Sequence, residues 1–168
     1  MHLFDLMSKE GWQALEEEIQ ARTGMCAGVF DTEGARVAGA ETHVNPLCPV
    51  IKGNPQSRGA ICALANQGIA AQARAARGAV VAECDAGICK IAVPIYMNGE
   101  FLGTVGGCGL VPEDGEVETF FVAKVTERFE DDVIRLADAM GRVSEADAEA
   151  HAAFIAGRVA ALVAGGAR

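Results

Sequence analysis

The chain has 168 residues, of which 51% are hydrophobic and 22% charged, a composition that suits about one globular domain and excludes a disordered chain. Its formal net charge is −9 and it holds no run of three basic residues, so the basic footprint that nucleic acid or an anionic membrane surface requires is missing. No apolar run approaches the ~20 residues of a membrane span, and the opening Met1–Trp12 lacks the charged-then-apolar order of a signal peptide. The expectation is therefore a cytoplasmic protein, one domain over 1–168 with its core in about 10–165, and no nucleic-acid or membrane partner.

The first predicted element is a helix from Ser8 to Thr23, with Ser8 as N-cap, Trp12, Leu15 and Ile19 at helical spacing, and Gly24 as its stop. Two apolar runs, 25–30 and 35–40, flank the turn Asp31–Gly34 and predict a hairpin. Residues 41–53, with Pro46 and Pro49, read as loop with one helical turn around Leu47–Ile51. Asn54-Pro55 then opens a central helix over Gln56–Arg77, with a buried stripe of Ile61, Leu64, Ala65, Ile69 and Ala73 and Gly78 as C-cap. Three strands follow, at Ala79–Cys84, Ile88–Met97 and Phe101–Val111. Asp85-Ala86-Gly87 turns between the first two, and Asn98-Gly99, the strongest hairpin signal in the chain, joins the last two. Glycines 103, 106, 107 and 109 inside the last strand suggest a bulge or a closely approached backbone. Helices over Glu116–Phe129, Asp131–Met140 and Glu145 to about Ala164 complete the chain. The order α, ββ, α, βββ, ααα predicts an α+β fold: a five-stranded antiparallel sheet with helices packed on one face, in the order of a PAS-like sensor.

Most catalytic signatures are absent. There is no phosphate-binding GxxxxGK[ST], no HExxH, no GxSxG and no CxxC, and Gly107-Cys108-Gly109 fails the dinucleotide fingerprint at its third glycine. A Cys48–His43 dyad has no orienting acid in an obvious place, and His151 reads as a solvated residue of the last helix. The six cysteines, at 26, 48, 62, 84, 89 and 108, are too few for a disulfide scaffold and too widely spaced for a sequence-local zinc site. Buried free thiols behave as small hydrophobes, and that plain reading stays open. Against it stands their placement. A helix packed across the sheet would bring Cys48, Cys62, Cys84 and Cys108 to one place, with Cys89 close by and Cys26 apart.

These residues carry a resemblance. Leu47-Cys48, Cys62, the string Cys84-Asp85-Ala86-Gly87-Ile88, Pro94-Ile95, Gly99 with Leu102-Gly103, and Gly106-Gly107-Cys108 occur in the order of the PocR-type sensory domain. The opening Ala21-Arg22-Thr23-Gly24 through Gly34 also resembles that family. The resemblance implies a PAS-like fold and small-molecule sensing upstream of an effector, with a small diol or alcohol as the family's inferred ligand. It departs at two positions: Asp85 stands where the family has His, and Cys108 where it has a pocket-facing Gln. The expected ligand site is Cys48, Cys62, Cys84, Asp85, Cys89, Gly107 and Cys108, between central helix and sheet. Exchanging an imidazole and an amide for a carboxylate and a thiol makes the site softer and more anionic. An iron–sulfur cluster or metal on Cys48, Cys62, Cys84 and Cys108 is therefore an alternative, with Cys89 as a substitute for Cys48. An enzyme with Cys48 or Cys84 as nucleophile is another. Signalling is expected through a partner protein or a homodimer, because the last helix carries Ile155, Val159 and Leu162 on one face and the first carries Trp12, Leu15 and Ile19.

Overall fold

Period-two alternation in three strands decides where everything else packs. The computed structural model describes residues 1–166. Strands β1 (Cys26–Phe30), β2 (Val80–Glu83), β3 (Cys89–Met97) and β4 (Glu100–Pro112) form an antiparallel sheet in the order β1-β4-β3-β2, and the two-residue β5 (Arg142–Val143) adds in parallel to the end of β4. With its helices, the chain has the expected α+β class.

On one face the branched residues of β3, Ile91, Val93 and Ile95, meet Ala27, Val29 and Val105 of the neighbouring strands. Helices α1 (Leu3–Leu6), α2 (Lys9–Thr23) and α8 (Glu145–Gly166) close over them with Leu3, Trp12, Leu15, Ile19, Ala152, Ile155 and Val159. The apolar faces that suggested a partner are thus turned onto the chain's own sheet. Helix α8 is long and apolar enough by length and composition to cross a membrane, but here its inner stripe is packed on the sheet. The other face of the sheet is covered by α3 (Cys48–Lys52), α4 (Pro55–Ser57), a π-helical segment (Arg58–Ala63) and α5 (Leu64–Ala76), whose Ile69 and Ala73 rest on Ala92. Helices therefore cover both faces, not one. Beside this layer a second core joins Leu47, Ile51, Ile61, Ile88 and Val111 to α6 (Thr119–Thr126) and α7 (Glu130–Asp138).

Several local expectations hold. Ser8 accepts from the Gly11 amide, Gly24 ends α2 in the left-handed region, and Asn54 accepts from the Gln56 amide with Pro55 at the first helical position. Others are overturned. Residues 35–40 make no strand: after β1 there is only the bridge between Phe30 and Arg36. The cause is Glu16, 6% exposed on α2, whose Oε1 accepts from both the Val29 amide and Arg36 Nη1, each at 2.9 Å. The same carboxylate fills the space beside Gly39, where a Cβ would lie 1.8 Å from Oε2. Leu64, expected in the central stripe, is 56% exposed, because the π segment inserts a residue and shifts the helical phase after it. The helix ends one residue early, with Arg77 in place of Gly78 in the left-handed conformation. Its guanidinium lies 4.2 Å from the Tyr96 ring centroid, and Tyr96 Oη donates to the Arg74 carbonyl. Helix α6 starts later than expected because 116–118 lies against the 85–87 turn, with the Glu118 amide donating to the Ala86 carbonyl.

Asn98 (φ 53°) and Gly99 (φ 84°) form the expected two-residue turn between β3 and β4, and no atom lies within 4 Å of a Cβ built at Gly99. Gly99→Val should therefore cost about 1 kcal/mol or more from backbone strain alone, read as a lower denaturant midpoint at unchanged m-value.

Candidate functional site

The face of the sheet opposite α2 and α8 carries mostly small and polar side chains in register, with Phe30 at one end. In β1 they are Cys26, Gly28 and Phe30; in β4, Thr104, Gly106 and Cys108; in β3, Lys90 and Ala92. Cys26 pairs with Cys108, Gly28 with Gly106 and Lys90 with Cys108 across the strands. With so little side-chain volume on the sheet, α3, the π segment and α5 do not close onto it completely. A cavity of about 480 Å³ remains, roofed by Ile51, Lys52, Ile61, Cys62 and Ile69 and walled by Arg36, Glu41, Cys48, Arg58, Cys84 and Ile88.

The 41–48 segment is fastened to β4 at a bulge. The β3–β4 register shifts between Cys89 and Lys90, which leaves Gly109 (φ 110°) as the extra residue. A Cβ there would lie 2.5 Å from Val44 Cγ2. The freed Gly109 carbonyl accepts from Asn45 Nδ2 at 2.8 Å, while Asn45 Oδ1 accepts from the Leu47 and Cys48 amides at 2.9 and 2.8 Å. Asn45 Nδ2 also donates to Cys48 Sγ at 3.2 Å. Glu41 closes the same loop over the cavity, bound to Lys52 Nζ at 2.9 Å and to Arg58. Burial raises the Glu41 carboxyl, but these two cations outweigh it and hold the group below its ordinary range.

Five cysteines line the cavity: 26, 48, 62, 84 and 108. Burial raises Cys62 and Cys84 and pushes Cys48 up to about 11, with the Asn45 amide opposing it at Cys48. The Cys26–Cys108 pair behaves differently. The Cys26 thiol donates toward Cys108, and Lys90, Lys52 and Arg36 add positive charge, so Cys108 is held well below its ordinary value against the effect of burial. Cys26, sharing its proton between Cys108 and the Thr42 carbonyl, is raised. Cys108 is the one thiol of this set whose pKa is held low.

The expected site residues divide accordingly. Cys48, Cys62, Cys84, Gly107 and Cys108 line the cavity; Asp85 and Cys89 do not. Asp85 is exposed in the 85–87 turn, and Cys89, one residue out of phase with Lys90, is buried in the core on the opposite face. Cys26, expected apart, is in the lining because it faces Cys108 directly across the strands. His43 is exposed and outside the lining, and the polar partner of Cys48 is Asn45. Among the described residues no three His, Cys, Asp or Glu side chains gather as a metal ion would need. The thiols are spread round the wall, an arrangement that does not fit a cluster. Asn45, Lys52, Arg36 and Arg58 carry no sequence motif. Lys90 had a readable signal, a cation inside an otherwise apolar strand.

The structure is thus an α+β sheet whose face of mostly small side chains leaves a thiol-bordered cavity under the covering helices. The family model described as the sensory domain found in PocR matches residues 5–166, and the chain belongs to that family. No curated protein and no solved structure matches it.

Two outcomes follow from this geometry. Asn45→Ala strands the Gly109 carbonyl and frees the loop. It should cost about 1–3 kcal/mol, seen as a lower thermal midpoint. Iodoacetamide at neutral pH should label Cys108 ahead of Cys48. Because the Cys108 value is lowered, its labelling should persist below pH 9 and fall only on further acidification. Labelling of Cys48, raised to about 11, should grow with alkalinity; mass spectrometry of the peptides reads both.

Proposed function

We propose that this chain senses a small organic molecule held in the cavity between the sheet and the α3–α5 layer, and that the ligand has an apolar body and an anionic end. The observation that carries the reading is Lys90. It faces the cavity beside Cys108 and makes no ion pair among the described residues, whereas Lys52 and Arg58 hold Glu41 and Arg36 holds Glu16. Ile51, Ile61, Ile69 and Ile88 supply apolar surface, and a volume of about 480 Å³ lies within the usual range for small-molecule sites. A carboxylate or similar anion would find in Lys90 a cation that no carboxylate of the described residues already holds.

Occupancy has a route out of the cavity. Arg36 lines it, yet its guanidinium is bound to Glu16 on α2, on the far side of the sheet. A ligand that draws on Arg36 disturbs how α2 is held, and α2 with α8 forms the layer through which a partner protein would read the change.

Calorimetric titration with short-chain carboxylates and the matching alcohols and diols tests the reading. Carboxylates should bind, their neutral counterparts should bind more weakly, and Lys90→Met should cost roughly 1.5 kcal/mol, about tenfold in affinity. Equal affinity for neutral and anionic members, unchanged in Lys90→Met, would overturn the anionic class. Uptake of iron in place of any organic ligand would overturn the organic reading altogether.

A further inference from the structure

One pair of thiols is positioned by the backbone itself. Cys26 and Cys108 are direct partners in the antiparallel β1–β4 register, so their side chains rise from the same face of the sheet. Opposed residues of such a ladder have Cα atoms roughly 4.5 to 5.5 Å apart, inside the roughly 4.4 to 6.8 Å that a disulfide spans. Both sulfurs border the cavity, but unequally: Cys108 is half-buried, whereas Cys26 is 6% exposed and sits behind it under the Thr42 carbonyl. The other cavity thiols, Cys48, Cys62 and Cys84, lie on a helix, a π segment and the residue after β2, where no shared ladder sets their separation.

From this geometry we infer that Cys108 and Cys26 form a peroxide-responsive dithiol, in which Cys108 is oxidised first and Cys26 resolves it to a cross-strand disulfide. The sulfur of Cys108 attacks one peroxide oxygen; an S–O bond forms, the O–O bond breaks, and hydroxide leaves. The sulfur of Cys26 then attacks the resulting sulfenic acid; the S–S bond forms, the S–O bond breaks, and the departing hydroxide takes the Cys26 proton as water. The two sulfurs lose two electrons, which reduce one peroxide to water. The lowered pKa of Cys108 beside Lys90 and Lys52 favours the first step. The reaction needs no bound ligand, so it stands or falls independently of the small-molecule reading. It also consumes the Cys26 proton that the Thr42 carbonyl accepts, and so frees one tie of the 41–48 loop.

The test treats the full reduced chain with hydrogen peroxide at about one equivalent, blocks remaining thiols with iodoacetamide, and maps peptides by mass spectrometry without reduction. The expected product is a Cys26–Cys108 crosslinked peptide lighter by two hydrogens, lost on treatment with dithiothreitol. In Cys26→Ser the crosslink should vanish and dimedone should trap a sulfenic acid at Cys108; in Cys108→Ser, Cys26 should take up no dimedone. A native circular dichroism spectrum confirms that each variant is folded, and the wild-type map decides alone if either is not. A disulfide between other cysteines, a wild-type Cys108 that proceeds to sulfinic acid without crosslinking, or no oxidation of Cys108 at all would overturn the inference.

Discussion

The two-residue period of β1, β3 and β4, held in register, is the constraint on which the rest of the structure depends. One set of alternate residues is mostly aliphatic and seats α2 and α8; the other is mostly Cys, Gly, Lys, Ala and Thr, and it seats α5 at Ala92 while leaving a cavity beside that contact. Branched side chains in place of Gly28, Gly106 and Cys108 would fill the space that is now cavity. The bulge at Gly109 ends this regime. Beyond it Leu110 turns toward the first core and Val111 toward the second, so a single extra residue divides cavity from core.

The cavity concentrates positive charge in a chain of net −9. Burying several cations together is costly unless anions meet them. Glu41 answers Lys52 and Arg58, Glu16 answers Arg36, and the charge left over favours the ionised form of Cys108. This arrangement explains why one sulfur among five has its pKa lowered while the others are raised. Cys48, Cys62 and Cys84 also border the second apolar core, where burial dominates, whereas Cys108 has a proton donor opposite it and lysines beside it.

Much of the frame was legible. Helices α2 and α8, the Asn98-Gly99 turn and strands β2 to β4 follow from periodicity and turn chemistry, which are local properties. Cys48, Cys62, Cys84 and Cys108 all border one cavity, but they are spread round its wall rather than gathered. What escaped depends on register. Cys26 joins the cavity, and Cys89 leaves it, through phase relations between strands that are distant in sequence. The missing second arm of the first hairpin has the same kind of cause: a carboxylate from α2 takes the Val29 amide that a strand would have used. The π segment shows in no pattern of the sequence; it lies where the chain passes from the second core, with Ile61, to the packing of α5 on the sheet, with Ile69.

That carboxylate has a consequence for how the sequence can drift. Glu16 is shared between a backbone amide of the sheet and the guanidinium of Arg36. Replacing Arg36 alone would leave a buried charge without its partner, a loss of about 3–5 kcal/mol, whereas exchanging both residues for a neutral pair of similar volume can be nearly free. Positions 16 and 36 are thus epistatic: the effect of a change at one depends on which residue occupies the other. A lineage that alters the cavity wall at Arg36 must pass through a change in α2, so the two faces of the sheet diverge together rather than one at a time.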